Sequence, residues 1–441
     1  MIGWEIDADQ EHNINLKKLS KQEERFLGRV EERFREIARN GIENPEEYGK
    51  EDFFVKFVDQ VASESGIVLD SYQKRYVCEY AKINIRGYGF LDYFLEDEEI
   101  EEISAPFGKN AWVFIKAKGW KKTNCKFNSK EKMIEVVNKM ARKSNKVITM
   151  KNPRLDAFLP DGSRLHATFE PICEGEITIR KFGSEPIGPK DLLEYGLCSN
   201  RVMAILSLIC VSDTNILIAG NTASGKTTTL NSLFTFIPKD ERIIIIEDTP
   251  EIRIPHEHKI NMVASEEIGV GMSNLIKDTL RMRPDRLVVG EVRSKGEFSC
   301  LLETLLAGQA RGTYATFHAQ NAQEAKGRLE KFGFEEEDLE SIDVLIIQRR
   351  SLKIEWQKNQ KNEERKIIDI CQFAGGKRVE IVDLKNGKIN FESSAIRKAQ
   401  KTNQMNQEEF EKEVLRREKI LEKTPQGLFE FTAEFWKRLC E

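Results

Sequence analysis

The stretch NILIAGNTASGKTTTL, residues 215–230, decides the fold of this chain. Its first six residues form an apolar run of strand length, and its last residues begin a helical segment. Between them, GNTASGKT (220–227) matches the phosphate-binding pattern G-x-x-x-x-G-K-[ST]. A strand, a glycine-rich loop and a helix in this order form the context that the pattern requires. The stretch therefore predicts a P-loop within an α/β sheet.

The composition of the loop suits a bound phosphate chain. Gly220 and Gly225 let the backbone fold around an anion, so that loop amides and the helix N-terminus face phosphate. Lys226 is predicted to reach the β- and γ-phosphates of ATP, and the Thr227 hydroxyl to ligate Mg²⁺. The residues predicted to bind nucleotide are Gly220, Asn221, Thr222, Ala223, Ser224, Gly225, Lys226, Thr227 and Thr228.

Hydrolysis needs a carboxylate near the γ-phosphate, and one apolar strand ends in several. The segment RIIIIEDTPEI (242–252) closes a strand with Glu247 and Asp248, and Glu251 follows shortly after. These carboxylates can position a water molecule or belong to the Mg²⁺ shell. Both roles stay open on the sequence alone.

Two further apolar strands carry candidate groups at their ends. RLVVGEVR (286–293) ends in Glu291, a second candidate for the water-positioning or Mg²⁺-shell role. GTYATFHAQN (312–321) brings His318, whose strand should lie in the same sheet as the P-loop strand. The sequence thus predicts that acidic groups and one imidazole gather near the P-loop.

Changes of pattern along the chain predict its domains. Apolar runs alternate with helical segments after residue 191, which is typical of a parallel sheet with helices on both faces. Short strands and helices alternate upstream in an α+β pattern, and the Gly- and Pro-containing segment GSEPIGPK separates the two regions. The predicted parts are a helical N-terminal extension (1–75), an α+β domain (76–182), a linker or hinge (183–190), an α/β nucleotide-binding domain with C-terminal strands (191–394) and a helical C-terminal tail (395–441).

Composition limits the class of protein. The 441 residues include 69 Lys and Arg against 73 Asp and Glu, a net charge of −4 that gives no overall attraction to nucleic acid. The longest apolar stretch, Val202–Val211, falls short of the about 20 residues that span a bilayer. The N-terminus has no secretory-signal pattern, and the scattered cysteines predict reduced thiols. We therefore expect a cytoplasmic protein with at most a peripheral membrane association.

One basic segment keeps a nucleic-acid function open. A RecA-type translocase would need a groove with basic and aromatic side chains. RRSLKIEWQKNQKNEERK (349–366) is the segment that comes nearest to this composition, but Glu residues interrupt it. The interpretation favoured by the sequence is a solvated loop.

The order of these motifs resembles the type II and type IV secretion ATPase superfamily, over about residues 85–375. GNTASGKTTTLNSL resembles its Walker A motif, IIIIEDTPEIRIPH its Asp box and LRMRPDRLVVGEVR its Walker B motif. AGQARGTYATFHAQNAQEAKGRL resembles its His box, and LPDGSRLHATF and TIRKFG resemble its N-terminal domain. The resemblance implies a PAS-like N-terminal domain, a linker and a RecA-like ATPase domain, assembled in hexameric rings with ATP between the two domains.

The resemblance also implies roles for single residues. Glu251 is implied to activate water, with Glu291 as the Walker B acid and His318 as the second histidine of the His box. Arg164 and Arg180 stand where the family's N-terminal domain supplies arginines to the γ-phosphate. Whether they act within one subunit or across the ring stays open.

The chain departs from the family pattern at two places. Gln309 stands where the His box usually opens with a histidine, and the tetracysteine zinc module of many bacterial type II enzymes is absent. The missing module points away from that branch, and the segments DGSRLHAT and QRR look closer to the archaeal and conjugative members.

The resemblance further implies a function and partners. It implies an ATP-hydrolysing hexameric motor on the cytoplasmic membrane face, working on a polytopic membrane platform protein, without direct contact to nucleic acid. Two alternatives remain: a RecA-like nucleic-acid translocase, and a nucleotide-binding assembly platform without turnover.

Overall fold

The computed structural model describes residues 4–6, 10–40, 52–115, 118–144, 146–182, 186–265, 268–308, 310–355 and 360–440, with side chains except at 40 and 353–362. The chain divides into two compact units, residues 1–184 and 185–441. The boundary falls inside the segment 183–190 that the sequence predicts to be a linker, and residues 183–185 of that segment lie outside the described ranges.

The first unit is built on an antiparallel sheet with the strand order β1-β4-β3-β2-β7-β6-β5. Its strands are β1 (Trp4–Ile6), β2 (Ile100–Pro106), β3 (Asn110–Ile115), β4 (Gly119–Phe127), β5 (Arg154–Phe158), β6 (Arg164–Thr168) and β7 (Glu176–Arg180). Its helices are α1 (Lys21–Asn40), α2 (Phe53–Glu64), α3 (Ser71–Ile85), α4 (Leu91–Glu96) and α5 (Lys130–Met140), followed by a 3₁₀ turn (Ala141–Ser144).

The N-terminal helices belong to the core of this unit. On α1, Phe26 and Val30 are buried in one hydrophobic cluster with Val77 of α3 and Ile179 of β7. The residues set apart in sequence as a helical extension, 1–75, therefore pack with the α+β region that follows them. A capping box begins α1, because the Ser20 amide donates to the Glu23 carboxylate at 2.7 Å and the Glu23 amide donates to the Ser20 hydroxyl at 3.3 Å.

The second unit is built on a mixed sheet with the strand order β10-β9-β11-β12-β8-β13-β14-β15. Its strands are β8 (Ile216–Gly220), β9 (Ile243–Glu247), β10 (Lys259–Val263), β11 (Arg286–Val289), β12 (Gly312–Phe317), β13 (Val344–Glu355), β14 (Gln360–Ala374) and β15 (Lys377–Glu380). Its helices are α6 (Pro189–Glu194), α7 (Asn200–Cys210), α8 (Lys226–Leu233), α9 (Met272–Thr279), α10 (Lys295–Ala307), α11 (Ala322–Phe332), α12 (Ser394–Asn403), α13 (Gln407–Lys423) and α14 (Leu428–Cys440), with 3₁₀ turns at Phe234–Phe236 and Asp338–Ser341.

The predicted parallel sheet is confirmed for its central strands. β10, β9, β11, β12, β8 and β13 pair in parallel, and β14 and β15 add antiparallel strands at one side. Every residue of β8 and β9 is buried because helices cover both faces of the sheet. One apolar cluster includes α7, α8 and the C-terminal helices, and the other includes α9, α10 and α11.

The C-terminal helices, set apart in sequence as a tail (395–441), are part of the second unit's core. Phe410 of α13 and Phe431 and Phe435 of α14 are fully buried. Arg417 of α13 is buried as well, and its Nη1 donates to the Ser207 hydroxyl of α7 at 3.0 Å. The apolar stripes of these helices are therefore covered within the chain.

The prediction of a solvated loop at 349–366 is wrong for the described part of that segment. Residues 349–355 belong to β13 and residues 360–366 to β14, and the two strands pair from Arg349↔Lys366 to Glu355↔Gln360. Main-chain hydrogen bonds between the two strands sustain this pairing beyond the end of β8. Because many of the side chains are charged, the segment lacks the hydrophobic pattern by which strands are recognised in a sequence.

The amino-terminal edge of the second sheet holds a buried ionic network. Arg286, the first residue of β11, is fully buried, and its Nε donates to Glu241 Oε2 at 2.5 Å. Its Nη1 donates to the carbonyl oxygen of Ser212 at 2.6 Å, and Arg311 Nη1 also pairs with Glu241 at 2.9 Å. Glu241 is thus the counter-ion of two arginines, one of them without access to solvent.

We expect Glu241→Ala to lower the free energy of unfolding by about 3–5 kcal/mol, because it leaves the Arg286 charge buried without a counter-ion. The matched control is Asp213→Ala, which breaks an exposed ion pair with Arg311 and should cost less than about 1 kcal/mol. Chemical denaturation followed by circular dichroism measures both. Equal losses in the two variants would contradict the assignment.

Candidate functional site

Five adjacent parallel strands bring the candidate groups together at one edge of the second sheet. The strands are β9, β11, β12, β8 and β13, in that spatial order. The first four end there and carry, in the same order, Glu247, Glu291, His318 and the P-loop, whereas β13 passes this edge at Gln348, the partner of Gly220, and continues. As predicted, the histidine strand lies in the same sheet as the P-loop strand, and the structure shows that the two are direct neighbours.

The P-loop backbone takes conformations that depend on its small residues. Gly225 has φ +90° and Ala223 has φ +59°, both in the left-handed region. At Gly220, a Cβ atom would lie 2.3 Å from the carbonyl oxygen of Gln348, so only glycine permits this close approach of β8 to β13. The loop therefore curves into a cradle that lies against Gln348, and a Cβ atom at either glycine would press on that residue.

The side chain of Lys226 is buried in this cradle. Its Nζ lies 3.4 Å from the carbonyl oxygen of Gly220, 3.5 Å from His318 Nδ1 and 4.0 Å from Glu291 Oε1. Burial lowers the pKa of Lys226, and the negative charges of Glu291 and Glu251 oppose this effect. A buried ammonium group with such long contacts is suited to an anion, which fits a bound phosphate.

Glu291 has a close partner on each of its oxygens. Oε1 lies 2.8 Å from His318 Nε2, and Oε2 lies 2.6 Å from Arg293 Nη2. Arg293 also reaches Asp248 Oδ2 with Nη1 at 2.9 Å, so one guanidinium joins the two carboxylates. The sequence reasoning missed Arg293, although it lies two residues after Glu291 in the quoted strand.

Glu247 supports the segment that follows β9. Its Oε1 accepts hydrogen bonds from the amides of Glu251 at 2.8 Å and Ile252 at 2.9 Å. Burial raises the pKa of Glu247 to about 7; the two amides oppose the rise and the nearby charge of Glu251 adds to it. Glu247 thus fixes the backbone from which the Glu251 side chain extends.

The Glu251 carboxylate is exposed, as is that of Asp248, but it differs from its neighbours in its hydrogen bonding. Within the described ranges, no hydrogen bond or ion pair engages its side chain, whereas Glu291, Asp248 and Glu247 are all engaged. It lies near enough to Lys226 to influence the pKa of that ammonium group. A carboxylate in this position can accept a proton from a water molecule.

Gln348 is a second residue that the sequence reasoning missed. It is buried at the point where β13 passes the P-loop, and its Oε1 accepts from the Thr229 hydroxyl of α8 at 2.8 Å. Its Nε2 donates to the carbonyl oxygen of Ser224 in the P-loop. The signal in the sequence that could have identified Gln348 is its position directly after the apolar run VLII and before two arginines.

The remaining candidates of the P-loop lie at its surface and at the start of α8. Thr222 is exposed, and Thr227 and Thr228 are half-buried on the first turn of the helix. Gln309, the residue at the first position of the His box, lies outside the described part of the chain.

Arg164 and Arg180 lie in the first unit. They are Cα partners on the neighbouring strands β6 and β7, and both are exposed. The Nε of Arg180 lies 4.0 Å from Glu102 Oε2, which is too far for a hydrogen bond, so this ion pair is loose. Two like charges placed opposite each other across a strand pair are destabilising, so this pair suits a shared anion.

Three of the basic side chains described in the segment 349–366 are paired with glutamates: Arg350, Arg365 and Lys366. Arg350 forms an ion pair with Glu363, and Lys366 Nζ lies 3.0 Å from Glu364 Oε2. These pairs reduce the positive charge that the segment could present to a nucleic acid.

Two absences can be stated for the described residues. No group of three or more His, Cys, Asp and Glu side chains in these ranges forms a ready metal site. The same ranges contain no helix with the length and hydrophobicity needed to cross a bilayer.

Comparison with known proteins places these motifs in context. Residues 95–434 match the family described as Type II/IV secretion system protein. The chain is 32% identical over 298 residues to the Type IV secretion system protein VirB11 of Bartonella henselae, an alignment that covers 58% of the chain and 83% of VirB11.

Two other similarities differ in coverage. An uncharacterized protein of Methanocaldococcus jannaschii is 41% identical over 230 residues, which cover 48% of the chain and 32% of that protein. The chain therefore spans about a third of this relative's length. The crystal structure of the Legionella pneumophila ATPase DotB aligns with a TM-score of 0.48 and 19% identity, covering 74% of the chain and 95% of DotB.

The raised pKa of Glu247 predicts a pH-dependent stability. The unfolded carboxyl group titrates near 4.5 and the folded one near 7, so the folded state binds the proton more tightly between these values. This stabilising contribution is complete below the unfolded pKa and is lost as the pH rises through the folded pKa.

We therefore expect the free energy of unfolding to fall by up to about 3 kcal/mol between about pH 5 and pH 8 through this group. Glu247→Gln keeps an oxygen acceptor for the two amides and removes the titration, so its unfolding free energy should change less over the same range. Denaturation curves of both proteins at the two pH values measure the difference. Parallel pH profiles would contradict the prediction.

Proposed function

Because the chain belongs to the Type II/IV secretion system protein family, we propose that it is an ATP-hydrolysing motor of a secretion or filament-assembly system. The observation that carries this proposal is the position of Lys226. Its buried ammonium group lies at the base of the P-loop, 4.0 Å from Glu291 and 3.5 Å from His318. This arrangement gives one edge of the sheet both a phosphate cradle and acidic groups for hydrolysis.

The P-loop binds the phosphates of ATP in this proposal. Its amides and the N-terminus of α8 face the phosphate chain, and Lys226 contacts the β- and γ-phosphates. Thr227, the half-buried residue after Lys226, would hold Mg²⁺ through its hydroxyl. The carboxylates proposed for the shell of this ion are those of Glu247, Asp248 and Glu291. Oxygen donors of this kind suit the ion, which neutralises phosphate charge when bound.

Glu251 is the residue that we assign as the general base. Its carboxylate is exposed and unengaged, whereas both oxygens of Glu291 already have partners, His318 on one and Arg293 on the other. Glu247 fixes the backbone amide of Glu251 and so sets where the base points. Glu291 in turn orients His318 beside the lysine.

Arg164 and Arg180 complete the proposed catalytic set. Arginine side chains that stabilise transition-state charge in other nucleotide hydrolases increase the rate by about 10³–10⁵. Their opposed placement on β6 and β7 supports a joint role on one anion. The proposal leaves open whether they serve the nucleotide of their own subunit or that of a neighbour.

The wider assembly follows from family membership. We propose a PAS-like first unit, a RecA-like second unit and a homo-hexameric ring on the cytoplasmic face of the membrane. The partner would be a polytopic membrane platform protein, and the driven structure a secretion apparatus, a pilus or a filament similar to the archaeal flagellum. The parallel strand order from β10 to β13 supports the RecA-like assignment. We also propose that residues 183–190 act as a hinge in this motor, as the sequence predicts.

The proposal predicts separate effects of two substitutions. Lys226→Ala should abolish both ATP binding and turnover, because it removes the cation that contacts the phosphates. Glu251→Gln should reduce kcat by about 10²–10⁴ and preserve ATP binding, since it removes only the base. Steady-state ATPase assays and direct binding titrations measure the two effects.

The matched control is Glu257→Gln, which makes the same change of charge at an exposed position in the same segment and should leave turnover unchanged. Each protein is also sized with and without nucleotide. A ring-sized species whose ATP turnover per subunit rises with protein concentration supports the motor. A monomer that binds ATP without turnover would favour the assembly platform, and turnover that requires added DNA or RNA would favour the translocase.

A further inference from the structure

The β13–β14 hairpin continues past the strand to which it is anchored. β13 pairs with β8 as far as Gln348↔Gly220, where β8 ends and the P-loop begins. Residues 349–355 and 360–366 then pair only with each other. We name these two stretches the projecting arm. The arm therefore runs beside the P-loop, and within the described ranges no further strand pairs with it.

The arm contacts the P-loop at two separate residues. The side chain of Asn221 donates to the carbonyl oxygen of Arg350 at 3.0 Å and accepts from the Arg350 amide at 2.9 Å, as a further strand residue would. Arg365 donates from Nε to the carbonyl oxygen of Ala223 at 3.1 Å. The loop is thus held at its start and near its middle.

At the base of the arm, Gln348 holds a third position. In its side-chain amide, Nε2 donates to the carbonyl oxygen of Ser224 and Oε1 accepts from the Thr229 hydroxyl. One side chain therefore joins the end of the P-loop to the helix that follows it.

The contact from Arg365 falls on the strained position of the loop. Ala223 has φ +59°, a conformation that residues with a Cβ atom disfavour and that glycine adopts freely. Without a contact on its carbonyl group, this peptide would relax more readily to an ordinary conformation. The loop would then be in its binding conformation for a smaller fraction of the time, and the apparent affinity would fall accordingly.

We infer that the projecting arm holds the P-loop in its nucleotide-binding conformation, with Arg365 and Gln348 as positioning residues. This inference rests on the proposed function, because it concerns the same nucleotide site. Since the loop conformation serves bound ATP and the transition state alike, loss of a positioning contact should raise KM and leave kcat nearly unchanged.

The test is a double-mutant cycle on the full chain, with Arg365→Ala, Ala223→Gly and the combined variant. ATP binding with Mg²⁺ is measured by calorimetric titration, and KM and kcat are measured in parallel. We expect Arg365→Ala to weaken binding by about three- to tenfold, the effect of one net hydrogen bond. In the Ala223→Gly background the same change should weaken binding by about twofold or less, since glycine accepts the left-handed conformation without support.

Arg365 is half-exposed, so its replacement should not impair folding, and Lys366→Ala on the same strand serves as the control. Lys366 pairs with Glu364, and no described contact joins it to the P-loop. Unchanged binding in Arg365→Ala would overturn the inference. So would an equal loss in both backgrounds, because Arg365 would then act on the nucleotide by its charge. A wild-type chain that binds no ATP would instead overturn the proposed function itself.

Discussion

The parallel alignment of five strands is the constraint on which the candidate site depends. The carboxyl ends of parallel strands lie at one edge of the sheet. Residues far apart in sequence are therefore brought together there by the strand order, and their ion pairs form as a result. Lys226, Glu291 and His318 come within 4.0 Å of one another in this way. The apolar runs of β8 and β9 maintain the alignment because helices bury both faces of the sheet.

Buried charges are paired differently at the two edges of this sheet. At the amino-terminal edge, Arg286 is fully buried with Glu241 as a close counter-ion, an arrangement that serves stability. At the carboxyl edge, Lys226 has only long contacts, and burial shifts the pKa values of Lys226 and Glu247. Shifted titration in a cradle of this kind is typical of functional sites, where groups are held ready for a substrate.

The sequence could predict the P-loop, the acidic strand ends and the histidine strand, because each is a local pattern of a few residues. It could not predict that Glu291 would be shared by His318 and Arg293, since that depends on how neighbouring strands align. The projecting arm was missed for a different reason. Its residues are mostly charged, and its strand structure comes from main-chain pairing between β13 and β14, which leaves no hydrophobic period.

The sequence by itself determined which groups the candidate site contains: a loop of the P-loop pattern with its lysine and threonine, and carboxylates at the ends of apolar strands. Spacing and residue type suffice for this, because the P-loop is one continuous segment. Only the tertiary structure decided how these groups divide their roles. Burial and pairing engage Glu291 and Glu247 and leave Glu251 exposed, and the register of β13 against β8 places Gln348 under the loop. Such distinctions depend on solvent access and strand order, which a single sequence does not contain.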